Sequence, residues 1–439
     1  MSLKILRIAF FTIAFALFCT TAEAQICQPT QESPPAATEF AERKPIQNKR
    51  LQVSVTWDDR PAIRFGTVAR IDLRVRLQAD SRGSDASLDV PADLMWASRR
   101  VGLDGVVGGK VRFQIEREFV SDDPWRDVYL NYQQFDAFQI QAGKFKLPFS
   151  LDETTSAANL DFVHRSRVAD QLAPGRDRGV MLHGRLLNRA ITYEAGVFEH
   201  DGNNARRRNP KRVYGGRTVA ARVTARPWRR ARSVASTLDF GAAFASSDVP
   251  TGYSSLEGET AFGWQFYEPD LWVSGPIRRT GVELRWRPGP LSIKSEYVRV
   301  ASARERQSVS GTDLSPLLAT GWYVSGTWIV TGESKAAGPS QPRRSVLDGG
   351  PGAIELATRV EELRFASRAS GDSPSTGSRA DNILGNRLRA LTAGVNWYPS
   401  RWFKVQINVI RESILYPDHG PVPARPAFWS RVLRVQIAF

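Results

Sequence analysis

The chain has 439 residues and a mass of 48.9 kDa, so it is long enough for a sizeable core. Its 22 Phe, 12 Trp and 10 Tyr exclude a disordered chain, and two cysteines exclude a disulfide scaffold or a CxxC-type zinc site. The formal net charge is +15, and fifty of the 60 basic residues are arginines, which invites an anionic partner and favours planar, bidentate oxyanion recognition.

Residues 1–24, MSLKILRIAFFTIAFALFCTTAEA, open with Lys4 and Arg7, continue with an apolar run from Ile8 to Cys19, and end in the A-x-A site Ala22-Glu23-Ala24. This pattern predicts a cleaved Sec-type signal peptide and an exported protein. Export argues against nucleic acid as the partner of the arginines. It also removes Cys19 and leaves Cys27 without an intrachain partner. Residues 25–60 are rich in Pro, Gln and Glu and predict a flexible arm, with one short strand at Leu51–Trp57. After the signal no stretch approaches the ~20 apolar residues of a transmembrane helix.

From Ile63 the dominant period is two. Ile63, Phe65, Ile71, Leu73, Val75 and Leu77 fall on one face; Arg64, Arg70, Asp72, Arg74 and Arg76 fall on the other. The run predicts one strand over 63–79, longer than the ~5–6 residues of a globular strand and long enough to cross a bilayer when tilted. Similar runs predict strands at 98–107, 109–119, 126–134, 137–147, 178–187, 190–199, 215–226, 236–247, 279–287, 291–303, 318–332, 354–369, 388–398, 402–413 and 428–439. Gly108-Gly109, Phe135-Asp136, Asn188-Arg189, Pro288-Gly289-Pro290 and Pro399-Ser400 read as tight turns, whereas the alternate connections are long. The reading is all-β: a transmembrane up-and-down antiparallel barrel of about 16 strands occupying residues 61–439, with periplasmic turns and long extracellular loops. An additional hairpin within 251–275 would make eighteen strands.

The end of the chain, Arg431-Val-Leu-Arg-Val-Gln-Ile-Ala-Phe439, is an alternating strand with a terminal Phe and resembles the assembly signal of bacterial outer-membrane proteins. Six further stretches resemble the phosphate-selective porin O and P family. They are QAGKFKLPF (Gln141–Phe149), RGVMLHG (Arg178–Gly184), GPLSIKSEY (Gly289–Tyr297), GWYVSGTWIVTGES (Gly321–Ser334), IELATR (Ile354–Arg359) and GVNWYP (Gly394–Pro399). The resemblance implies a sixteen-stranded outer-membrane channel, usually trimeric, whose basic lumen and constriction loops select phosphate or related anions.

The residues themselves suggest where selection would occur. An arginine on the lipid face at mid-bilayer costs ~2–4 kcal/mol, so the cationic faces are expected to line the lumen. The channel-lining candidates are Arg64, Arg70, Arg74, Arg76, Lys110, Arg112, Arg222, Arg226, Arg285, Arg287, Lys294, Arg359, Lys404 and Arg434. A ladder of such groups concentrates small anions without trapping them. Pairing with the lumen carboxylates Asp72, Glu116, Glu283, Glu296, Glu355 and Glu361 is the competing use. The long connection 148–177 is the candidate constriction loop, with Arg165, Arg167 and Arg176; 248–278 is a second, aromatic and acidic one. The loop tip Arg206-Arg207-Arg208 with Lys211 and Arg212 suits anions or the phosphates of lipopolysaccharide.

No HExxH, GxSxG or complete phosphate-loop motif is present, since Gly109-Lys110 is followed by Val111. No catalytic residue, metal or cofactor is therefore expected. A non-conducting structural or adhesive barrel, or an outer-membrane hydrolase, is the alternative to an anion-passing porin.

Overall fold

The computed structural model describes residues 52–439 apart from 58, 87–93, 205–212, 255, 336–339, 368–372 and 420–424. All of them belong to the unit Leu51–Phe439. The signal segment and the 206–212 loop tip lie outside the described residues.

The strands are β1 (Val53–Trp57), β2 (Pro61–Phe65), β3 (Ala69–Ser84), β4 (Met95–Val107), β5 (Val111–Glu118), β6 (Trp125–Tyr132), β7 (Gln139–Lys146), β8 (Arg176–Leu186), β9 (Ile191–Phe198) and β10 (Thr218–Ala225). They continue with β11 (Leu238–Tyr253), β12 (Gly258–Glu259), β13 (Gln265–Tyr267), β14 (Trp272–Trp286), β15 (Leu291–Arg304), β16 (Leu314–Ile329), β17 (Ala353–Ser367), β18 (Asn386–Tyr398), β19 (Phe403–Ile414) and β20 (Ala427–Ala438). Eighteen form one sheet. Sixteen of these, β3–β11 and β14–β20, pair antiparallel with their neighbours and close into a barrel where β20 meets β3, from Ser430 opposite Ser84 to Ala438 opposite Arg76. Closure leaves no free edge in the ring, which is what a sheet needs in lipid.

The ring matches the sixteen predicted strands one for one, with a correction to the first. The predicted strand 63–79 is two strands. Gly66, with φ 53°, opens a turn through Val68, so Ile63 pairs with Ile71 and Phe65 with Ala69. Alternation continues on both sides of that turn, so periodicity alone could not reveal it; Gly66 was the available signal. The ring therefore starts at Ala69, and β1–β2 form a hairpin in which β2 pairs with the first residues of β3. Within 251–275, β12 and β13 pair only with each other. Sixteen strands, not eighteen, make the barrel.

The barrel inverts the burial of a soluble sheet. On β20, Trp429, Leu433 and Val435 are exposed while Ser430, Arg434 and Gln436 are buried; on β18, Leu391, Val395 and Trp397 are exposed while Thr392 and Asn396 are buried. Apolar side chains face out and polar ones face in, as in a membrane-spanning barrel. Exposed Trp328, Trp397 and Phe403 sit near the end with the short turns, and Trp96, Trp125 and Trp429 near the end with the long loops. These two levels correspond to interfacial aromatic girdles.

Candidate functional site

A loop threaded through hydrogen-bonding space must satisfy its own backbone, and long polar side chains on the inner wall can do so. Residues 147–175, between β7 and β8, follow that rule. Leu147 and Phe149 are fully buried, and Ser150 (φ 67°) caps the short helix Leu151–Thr154, its hydroxyl accepting from Glu153 N at 3.2 Å. The Leu151 and Asp152 amides donate to the Glu296 carboxylate of β15 at 3.0 and 2.7 Å. Beyond this the chain runs along the inside of β15–β20. Lys404 donates to the Ala158 and Leu160 carbonyls at 3.1 and 2.8 Å, and Asn396 to the Asp161 carbonyl at 2.8 Å. Val163 N donates to Asn408 at 2.7 Å, and Arg434 donates to Val163 O at 2.9 Å. Arg359 lies over the Phe162 ring at 4.6 Å and donates to the His164 and Arg165 carbonyls at 3.1 and 3.3 Å. The helix Arg167–Leu172 is capped by Ser166 and docks through Arg167 N on Glu361 at 2.5 Å.

Asp161 is a charged anchor of this loop. Lys294 of β15 approaches its carboxylate at 2.6 Å, and Lys335, from the β16–β17 connection at the short-turn end, at 2.7 Å; Lys335 also pairs with Glu355. Burial alone would raise the Asp161 carboxyl, but the two ammonium groups outweigh it and hold the group below the ordinary carboxylate range. Burial likewise opposes the Lys335 charge, and Asp161, Tyr398 and Glu355 reverse that, raising Lys335 above its usual value. Burial, reinforced by Arg167, Arg434 and Arg82, pushes His164 well below its ordinary value, so its ring is neutral.

Residues 256–271, between β11 and β14, pack on the same side nearer the long-loop end. Thr260 O accepts from Arg167 at 3.1 Å, Ala261 N donates to Glu412 at 2.8 Å, and Glu259 N donates to Gln171 at 3.2 Å. Tyr267 stacks on Phe365 with centroids 4.4 Å apart, and Trp264 meets Phe428 edge-on at 5.6 Å. This second loop, acidic and aromatic in sequence, completes the filling of the β16–β20 half.

The opposite half stays open. A cavity of about 520 Å³ lies between the β3–β8 wall and the edge of the first loop, lined by eight basic residues and six acidic ones. The bases are Arg74, Arg76, Arg100, Arg126, Lys146, Arg165, Arg176 and Arg434; the acids are Glu116, Glu118, Asp127, Glu153, Asp170 and Glu194. Most are engaged: Arg74 with Glu116 at 2.7 Å, Arg100 with Glu116 at 3.0 Å, Arg176 with Asp127 at 3.0 Å and Arg165 with Glu153 at 3.2 Å. A second cavity of about 250 Å³ shares Arg74, Arg76, Arg100 and Glu116 and reaches Phe439 at the short-turn end.

The other candidates from sequence are dispersed. Arg64 lies on β2, off the ring, opposite Arg70, which pairs with Asp72 at 2.7 Å. Lys110 is exposed in the turn after β4 and is not on the wall. Arg112 meets Asp104 at 2.7 Å, and Arg222 sits between Glu194 and Glu283 at 3.0 and 2.6 Å. Arg226, Arg285 and Arg287 converge on Asp239 at 2.6, 2.9 and 3.8 Å. Sequence reasoning missed Arg100, Arg126, Lys146, Asp239 and Lys335. Arg100 was legible, since it alternates with exposed Val101 and Leu103 on β4. Lys335 was not, because the β16–β17 connection has no period. Among the described residues one trio, Asp177, Glu199 and His200, brings potential metal ligands within 4.8 Å, but Asp177 already accepts from the amides of Arg178 and His200 at 2.8 and 2.5 Å.

Residues 71–416 match the family described as phosphate-selective porin O and P. Among curated proteins no sequence matches the chain. Several solved structures share the fold. The trimer form of OmpT, an outer-membrane protein of Vibrio cholerae, aligns at 13% identity over 85% of this chain and 100% of its own, with a TM-score of 0.54. The outer-membrane channel DcaP of Acinetobacter baumannii aligns at 12% identity over 85% and 98%, with a TM-score of 0.52. OmpF of Salmonella typhi, in complex with daunomycin, aligns at 8% identity over 85% and 98%, with a TM-score of 0.51.

Proposed function

This chain belongs to the phosphate-selective porin O and P family, and from that membership we propose that it passes small anions, phosphate or other oxyanions, through the open half of its lumen. The coarser statement, that it is an outer-membrane porin, follows from the family and the fold. The observation that carries the finer one is the lining of the 520 Å³ cavity, eight basic residues against six acidic. Arginines held by carboxylates beside a cavity attract an oxyanion without forming a closed site from which it could not leave. Passive diffusion needs no catalytic group or cofactor. The same reading takes residues 1–24 as a cleaved export signal, a homotrimer as the assembled form, and outer-membrane lipid, including lipopolysaccharide, as the surroundings.

The test is single-channel recording of the refolded mature protein in a planar bilayer under a salt gradient, with phosphate titrated in. Discrete steps with a chloride-favouring reversal potential are expected, with partial block by phosphate. A potassium-favouring potential would overturn the anion reading, and silence from folded protein would leave a structural barrel.

A further inference from the structure

The outward face of β17–β20 changes character at one level. From the short-turn end it is apolar up to Val360, Leu391, Val409 and Leu433, all exposed. Toward the long loops it then turns to Arg364, Arg389 with Arg387, Arg411 and Arg431. The outward-facing carboxylate on these four strands is Glu362, and it is taken by Arg389 at 2.5 Å. Arg411 lies over the exposed Trp429 ring at 5.5 Å. Arg431 lies flat against β3, its Nε only 2.9 Å from where a side chain at Gly83 would begin.

Two features distinguish this patch from scattered surface charge. Arg364 and Arg387 stand in direct cross-strand register, a placement with Cβ atoms about 4.5–5.5 Å apart that like charges disfavour unless an anion lies between them. Neither has an acidic partner among the described residues. Beside them is a cavity of about 590 Å³, also lined by Asn382, Tyr416 and His419.

We propose that this arginine patch is a binding site for the phosphorylated headgroup of lipid A, with the pair Arg364–Arg387 on one phosphate. The chemistry is that of the level at which it sits. Outward arginines are tolerated only where the bilayer gives way to headgroups, so the patch marks that boundary. There the available anions are phosphomonoesters on sugars that carry acyl chains. Guanidinium groups bind phosphate in bidentate fashion, and the apolar wall directly beneath offers the acyl chains a surface. The site rests on the outer-membrane placement above, with the long loops outside, and is independent of what the lumen conducts.

The test uses the full mature chain, delipidated, refolded in detergent and titrated with diphosphoryl lipid A, with its dephosphorylated form and with inorganic phosphate. Diphosphoryl lipid A should bind at least tenfold more tightly than the dephosphorylated lipid. Arg364→Gln with Arg387→Gln should weaken it at least tenfold, while Arg278→Gln with Arg299→Gln, on the outward face of β14 and β15, should not change it. If the first pair does not fold, Arg387→Gln alone carries the same test with a smaller loss. Equal affinity for the dephosphorylated lipid, wild-type affinity in the Arg364/Arg387 variant, or equal loss in the β14–β15 variant overturns the proposal. Displacement by inorganic phosphate alone at comparable concentration would assign the site to the free ion and overturn it as a lipid site. Channel recordings on the same preparation separate the two readings: lipid A binding with cation-favouring current sinks only the anion channel, and the reverse sinks only this site.

Discussion

In the half of the lumen lined by β15–β20, basic side chains hold the inserted loop, through its carbonyls or through the Asp161 carboxylate. Lys404, Arg359 and Arg434 are buried and donate to the carbonyls of residues 158, 160, 163, 164 and 165. In the half lined by β3–β8, Arg74, Arg100 and Arg176 pair directly with carboxylates at the border of the open cavity. The same residue type therefore has two uses inside one barrel. A cation that meets a carbonyl of an inserted loop holds structure, because that carbonyl would otherwise lack a partner in a confined space. A cation that meets a carboxylate beside a wet gap stays charged, oriented and within reach of a passing ion. Substitution in the first group should change stability and pore size; substitution in the second should change selectivity.

The largest effect is expected at Asp161. Asp161→Ala leaves the Lys294 and Lys335 ammonium groups without the carboxylate they share, and breaking a buried charge cluster from one side costs about 3–5 kcal/mol. A lower unfolding midpoint and larger, noisier conductance steps should follow. Steps of wild-type size and quietness would mean that the loop is held elsewhere. Next, Lys404→Met removes the donor to two loop carbonyls and should cost about 1–3 kcal/mol in thermal or denaturant unfolding. Its reversal potential should match wild type; a shifted potential would erase the distinction between the two halves.

In the open half, Arg76→Glu with Arg126→Glu should do the opposite. Each reversed charge turns about 1 kcal/mol of attraction for an anion at ~4 Å in water into a similar repulsion, so the anion-to-cation permeability ratio should fall at least several-fold. An unchanged ratio would take this wall out of the selectivity argument. The smallest effect concerns pH. The folded-state Asp161 carboxyl is held below its ordinary value, so its contribution is complete above about pH 4 and is lost only as pH falls through that lower folded value. The conductance difference between wild type and Asp161→Asn should thus persist from neutral pH to about pH 5 and close only in stronger acid. A difference that closes near neutrality would place the anchor's titration where this cluster does not allow it.

The barrel was legible in the sequence because its signal is local. In lipid each wall residue must be apolar outward and may be polar inward, so β20 and β18 carry their orientation in their own alternation. The Gly66 turn was hidden because residues on both sides of it alternate in the same phase. The length and charge of 147–175 marked it as a loop to watch, yet not where it goes. Its partners Glu296, Asn396, Lys404 and Arg434 lie 144 to 271 positions further along the chain from the residues they bind.

By itself, then, the sequence determined the barrel class with about sixteen strands, the faces of the strands, most of the turn positions and an overall cationic excess. These follow from backbone hydrogen bonding and bilayer solvation, which act residue by residue. Only the tertiary structure decided which arginines hold the inner loops and which border the open passage. That division depends on long-range partners, a carbonyl for Lys404 and a carboxylate for Arg176, and ring closure alone brings them within reach.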